Sequence, residues 1–217
     1  EKVNFLTYLR NYTTNAINKG LTEFIQEQYS LYLYFEEKGY FLLRGYINSS
    51  RINNVIHIYL RMGKYELAED FVKKYILLLN VSDRESCLHF NMARILFEKS
   101  QYKLSLRELL RVEYGHDSFY SFNSKLLLLK NYYELQETDA FDSLCSSFKE
   151  FIRKNKMLSN DYKSFYLNFI KMTKKLYQAT PTKKKKLEKE ILENAQIAEK
   201  NWLLEKSHIL AVKNIKK

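Results

Sequence analysis

The feature that most constrains the fold is a short corner sequence that recurs at nearly constant spacing. It occurs as GKYELA at 63–68, SQYKLS at 100–105 and QETDAF at 136–141, in steps of 37 and 36 residues. Each copy lies between two apolar segments of helical periodicity. A lone pair of amphipathic helices cannot bury both apolar faces, whereas stacked copies share a continuous core. The repeated corner therefore predicts an all-α stack of helix pairs.

Composition supports long helices. The 217 residues include only 5 Gly and 1 Pro, far too few breakers for a turn-rich β architecture. Residues 1–217 are expected to form a single domain of about five antiparallel helix pairs, with a loop at 39–47. The pairs are predicted at 2–38 (hinge at Gly20), 48–80 (hinge at Gly63), 83–114, 118–154 and 159–214.

Two details of the pairs can be tested. The second helix of the fifth pair is predicted at 182–214, where its apolar stripe would face the stripe of the preceding helix. The two stripes are Ile191, Ala195, Ala198 and Trp202, and Phe165, Phe169, Met172 and Leu176. The third corner has Phe141 in place of the small Ala68 and Ser105, which predicts either a wider helix spacing or a shift in register by one residue.

The second pair resembles the tetratricopeptide repeat family. Gly63, Tyr65 and Ala68 match that family's Gly-x-Tyr-x-x-Ala turn, and Tyr102 keeps the central residue in the next copy. The resemblance covers about 48–154, and the second pair carries its specific residues. The stretches RESCLHFNMARILFEK, LLKNYYEL and EKNWLLEK are also similar to uncharacterised bacterial repeat proteins. The resemblance implies a right-handed superhelix whose first helices line a concave, protein-binding groove.

Family geometry then gives candidate binding residues. Six positions before each corner lie His57, Arg94 and Lys130, which would form a cationic ladder suited to an acidic peptide or protein segment. The flanking candidates are of mixed polar, apolar, aromatic and charged character: Asn53, Leu60, Arg61, Phe90, Phe97, Glu98, Tyr133 and Glu134. The competing interpretation is a solvated helix face with local pairs within each helix.

Charge suggests an alternative function. Net charge is +11, and residues 150–217 carry 17 Lys/Arg against 7 Asp/Glu. The alternative hypothesis is nucleic-acid binding by lysines of residues 150–217, the C-terminal third of the chain. The candidates are Lys171, Lys174, Lys175, Lys183, Lys184, Lys185, Lys186 and Lys189. The glutamates at 188, 190 and 193 would partly cancel that charge, and Arg153 is the only arginine after residue 150.

The sequence offers no catalytic constellation. It has no His-Glu-x-x-His, no Cys-x-x-Cys and no phosphate-binding loop, so we expect a non-enzymatic protein without metal or cofactor. Cys87 and Cys145 fall in apolar helical segments and are interpreted as buried thiols. No apolar run is long enough to span a membrane, and a cytoplasmic location is expected. Because the chain begins at Glu1, a third hypothesis is an assembly or capping domain of a longer protein.

Overall fold

The computed structural model describes residues 2–18, 21–113, 118–180 and 183–212. Within these ranges the chain is helical and contains no β-sheet, which confirms the predicted all-α class. The helices are α1 (Lys2–Asn18), α2 (Phe24–Glu37), α3 (Ser49–Arg61), α4 (Tyr65–Tyr75), α5 (Val81–Glu98), α6 (Tyr102–Leu109), α7 (Ser118–Leu135), α8 (Thr138–Lys154), α9 (Asn160–Tyr177), α10 (Lys184–Glu193) and α11 (Lys200–Val212). A short 3₁₀ helix, Ile76–Leu78, follows α4. The predicted hinge at Gly20 lies outside the described residues.

The three repeated corners share one backbone geometry. Gly63, Ser100 and Gln136 each adopt a left-handed conformation, with φ of 66°, 58° and 59°. In each corner the next residue donates its N–H to a carbonyl five positions back, as in a Schellman motif. These bonds are Lys64 to Tyr59 (2.8 Å), Gln101 to Leu96 (2.8 Å) and Glu137 to Tyr132 (3.1 Å). The sequence repeat is therefore a structural repeat, even where only the first copy has glycine.

The third corner keeps the register of the others. The Phe141 N–H donates to the Glu137 carbonyl at 2.8 Å, as Ala68 does to Lys64 and Ser105 to Gln101. A one-residue shift is thus excluded. The larger ring is fully buried and stacks on Tyr177 of α9 at 4.3 Å between ring centroids. Phe141 therefore takes part in packing against the following helix.

The predicted long helix at 182–214 is wrong, because residues 194–199 separate α10 from α11. The Asn194 side chain accepts a bond from the Gln196 N–H at 2.9 Å, which competes with helical hydrogen bonding. The Ala198 N–H donates to the Phe165 carbonyl at 3.2 Å, and Glu199 is left-handed with φ of 53°. Ala195 is consequently exposed in the break. The predicted contact of the stripes survives at Trp202, whose ring centroid lies 5.9 Å from that of Phe169.

By packing, the chain divides into two compact units, residues 1–131 (unit 1) and 132–217 (unit 2), with the boundary inside α7. Unit 1 has its own apolar core, which includes Ile52, Ile56, Phe71 and Ile95. The core of unit 2 includes Phe141, Phe148, Phe169, Ile191 and Leu203. Each unit therefore buries its own set of large side chains.

Candidate functional site

In unit 1, a buried polar network joins the first helices of successive pairs. The Asn91 amide of α5 donates to Asn53 Oδ1 of α3 at 2.7 Å and to the Cys87 carbonyl at 2.8 Å. The Asn53 amide in turn donates to the Tyr120 hydroxyl of α7 at 3.4 Å. Since a buried polar group without a partner is costly, these bonds fix the relative position of the helices.

Arg94 extends this network toward the surface. Its guanidinium donates to the Asn53 carbonyl at 3.1 Å and to Asn91 Oδ1 at 3.0 Å. The same group lies 5.6 Å from the ring centroid of Phe90, within cation–π range. Arg94 is only half-buried, so the network holds a partly accessible cation in a fixed place.

Lys130, the third cation of the predicted ladder, belongs to the packed interior of unit 1. Its side chain retains 9% exposure, and its ammonium lies 4.9 Å from the ring centroid of Phe97. Phe97 is itself buried. Substitution of Lys130 would therefore disturb packing as well as charge.

The predicted groove residues differ widely in exposure. His57, Arg61 and Glu98 are exposed, and Leu60, Arg94 and Glu134 are half-buried. The other five are buried: Asn53, Phe90, Phe97, Lys130 and Tyr133. The exposed and half-buried positions of α3 and α5 in unit 1 are those that a ligand can reach.

In unit 2, Glu134 forms an ion pair with Lys206. The Lys206 ammonium lies 2.7 Å from Glu134, with side-chain exposures of 8% and 13%, and 2.9 Å from Glu205. Burial alone would lower the pKa of Lys206, but the combined interactions with Glu134 and Glu205 outweigh burial, and the pKa is raised. The Tyr133 and Trp202 rings pack edge to face nearby, with centroids 5.1 Å apart.

The lysines of the predicted basic patch fall into two groups. Three are paired: Lys174 with Asp142 at 2.6 Å, Lys175 with Glu190, and Lys189 with Glu193 at 3.6 Å. The other four whose side chains the structure describes are exposed, and no described carboxylate lies within ion-pair distance of them. These are Lys171, Lys183, Lys185 and Lys186; the side chain of Lys184 lies outside the described residues.

Sequence reasoning missed a buried histidine clasp between α5 and α6. His89 Nδ1 lies 2.6 Å from Glu108, and Nε2 lies 3.0 Å from Glu85. The spacing of Glu85 and His89, four apart on one helix, is a visible signal, but the Glu108 contact depends on helix packing. The residues Asn91, Tyr120 and Lys206 were missed for the same reason.

The thiols have no exposed, activated environment. Cys87 and Cys145 are free and buried, and burial raises the pKa of each to about 11. In the part of the chain that the structure describes, no cluster of three or more His, Cys, Asp or Glu has a metal-binding arrangement. None of the described helices has the length and apolar character needed to cross a bilayer.

Comparison of the chain with protein-family models, with curated proteins and with solved structures finds no match. Membership of the tetratricopeptide repeat family therefore stays a prediction that rests on the corner residues.

Proposed function

We propose that the chain is a non-enzymatic interaction scaffold, a divergent tetratricopeptide-like repeat whose pairs follow a right-handed superhelix. Its ligand would be a peptide or protein segment that lies across the first helices of the pairs in unit 1. The shared geometry of the three corners supports the repeat architecture, because it equates residues 63, 100 and 136 in backbone conformation as well as in sequence position.

The observation that carries the proposal is the fixed position of Arg94 between α3 and α5. The guanidinium donates one hydrogen bond to the Asn53 carbonyl of α3 and one to Asn91 Oδ1 of α5, and it lies over the ring of Phe90. A side chain that is already ordered loses little conformational entropy when a ligand binds. Arginine also recognises carboxylates through a planar fork of donors. Arg94 is therefore the proposed anchor for an acidic group.

The surrounding surface suits a mixed ligand. His57 and Arg61 are exposed on α3, Leu60 is half-buried between them, and Glu98 is exposed one turn after Arg94. This combination favours a segment with acidic side chains and one or two apolar ones. Because the charges are partly exposed, binding should weaken with salt, over a screening length of about 10 Å at 0.1 M.

The test is to select peptide ligands from a displayed random library and then to measure the affinity of the selected peptides for the wild type and for two variants. His57→Glu with Arg61→Glu adds two carboxylates and removes one guanidinium at exposed positions of α3, and it should weaken acidic peptides at least tenfold. Lys64→Glu with Lys103→Glu is the matched control, since both lysines are exposed and outside the candidate set. Equal affinity of the selected peptides for both double variants would refute this surface.

A further inference from the structure

The start of α10 carries an unusual charge arrangement. Lys183 is the residue before the helix, and Lys185 and Lys186 lie in its first turn. All three side chains are exposed, and among the described residues no carboxylate lies within 4 Å of their ammonium groups. We call Lys183, Lys185 and Lys186 the lysine run.

The glutamates that follow do not neutralise the lysine run. Glu190 pairs with Lys175 of α9, and Glu193 pairs with Lys189 at 3.6 Å. Glu188 lies 3.6 Å from His208 of α11. Glu190 and Glu193 therefore pair with lysines outside the run, Glu188 lies beside His208, and no carboxylate of the described residues forms an ion pair with the lysine run.

Folding does not explain this charge. The positive end of the helix dipole favours acidic residues in the first turn and disfavours lysines. Neighbouring ammonium groups also repel one another. What anchors α10 is its apolar side, because Leu187 and Ile191 are buried. The lysine run thus adds an electrostatic cost that a bound polyanion would relieve.

We propose that the lysine run binds the phosphate backbone of nucleic acid without sequence preference. Duplex DNA carries one negative charge per ~1.7 Å of its axis, so even one turn of an α-helix, such as the first turn of α10, can face several phosphates. Lysine provides point charges that neutralise phosphate but lacks the planar fork that reads bases. A membrane surface fits less well, because Leu187 and Ile191 of α10 are buried, which leaves Leu192, 54% exposed, as the one large apolar side chain of this helix that could reach lipid.

The test is fluorescence anisotropy with a labelled 20-base-pair duplex of mixed sequence, titrated at several salt concentrations. The variant Lys183→Gln, Lys185→Gln, Lys186→Gln is compared with Lys64→Gln, Lys103→Gln, Arg107→Gln. The second variant removes the same charge from exposed positions of unit 1. We expect the lysine-run variant to make the negative slope of log affinity against log salt less steep by about 2–3, since each phosphate contact contributes about 0.9 to its magnitude. The control should keep the slope.

Three further comparisons separate phosphate binding by the lysine run from loss of structure, from a general net-charge effect and from membrane binding. Replacement of the same three lysines by arginine should retain affinity, which separates loss of charge from loss of structure; circular dichroism checks the fold of every variant. An equal fall in slope in both glutamine variants would overturn the proposal in favour of a general net-charge effect. Absence of duplex binding, together with lysine-dependent binding to vesicles of anionic phospholipid, would overturn it in favour of a membrane surface. The result is independent of peptide binding by unit 1.

Discussion

Unit 2 contains two kinds of lysine that the sequence alone does not distinguish. Lys206 is 8% exposed and pairs with Glu134 and Glu205, whereas Lys185 is exposed and has no described carboxylate within ion-pair distance. The residue type and the unit are the same, so the difference comes from what packs around each side chain. A packed cation holds the fold together, and an unpaired one is available to a ligand.

The largest effect is expected from Lys206→Met, which removes the ion-pair partner of Glu134, a residue whose side chain is only 13% exposed. Removing one member of a buried ion pair costs about 3–5 kcal/mol of unfolding free energy. Urea unfolding followed by Trp202 fluorescence measures it, with Lys185→Met as the control of unchanged stability. Adding Glu134→Leu to Lys206→Met should restore much of the loss, and a further loss in the double variant would show that the pair is not the cause.

The neighbouring Tyr133 predicts a loss of stability at alkaline pH. Burial, aided by the negative charge of Glu134, raises the pKa of Tyr133 to about 12. Tyrosine in the unfolded chain ionises near pH 10, so the folded state keeps a proton that the unfolded state has lost. This contribution is complete below pH 10 and disappears as the pH rises through 12.

Between pH 9 and 12, the unfolding free energy of Tyr133→Phe should therefore fall by about 2–3 kcal/mol less than that of the wild type. Urea midpoints across this range measure the difference. Tyr162→Phe is the control: Tyr162 is exposed, so its replacement should leave the pH dependence of the urea midpoint unchanged. If Tyr133→Phe follows the wild-type curve, the hydroxyl is not held in a buried environment.

A smaller effect is expected from Arg94→Gln in unit 1. The substitution weakens the bonds to the Asn53 carbonyl and Asn91 Oδ1, at a cost of about 1–2 kcal/mol. Far-UV circular dichroism in urea measures it. Arg61→Gln, on the exposed face of α3, should leave the midpoint unchanged, and equal shifts in the two variants would argue against a structural role for the Arg94 bonds.

The smallest effect is expected from Lys183→Gln, Lys185→Gln, Lys186→Gln, whose stability should stay within about 0.5 kcal/mol of the wild type. These side chains make no ion pair among the described residues, and removing like charges from the first turn of α10 relieves repulsion. A clear fall in the thermal midpoint would show that the lysine run stabilises the fold, which contradicts its assignment as a ligand surface.

The corners and most helix limits could be predicted because they depend on local sequence: a left-handed residue between two segments of helical period. The break at 194–199 could not, since Asn194 and the contact of Ala198 with Phe165 outweigh the helical pattern of the segment. The roles of Arg94 and Lys130 also escaped prediction. Repeat geometry gave their positions along the helices, but their burial depends on Asn53, Phe90 and Phe97.

The most direct test is the change in urea midpoint of unit 2, read from Trp202 fluorescence, when a saturating 20-base-pair duplex is added. A ligand that binds only the folded state raises stability by RT ln(1 + [L]/Kd). Lys206→Met should lower the midpoint without DNA but keep the rise on adding it. The triple glutamine variant of the lysine run should keep the midpoint and lose the rise. The reverse pattern, with the rise lost in Lys206→Met and kept in the triple variant, would contradict the distinction between packed and available lysines.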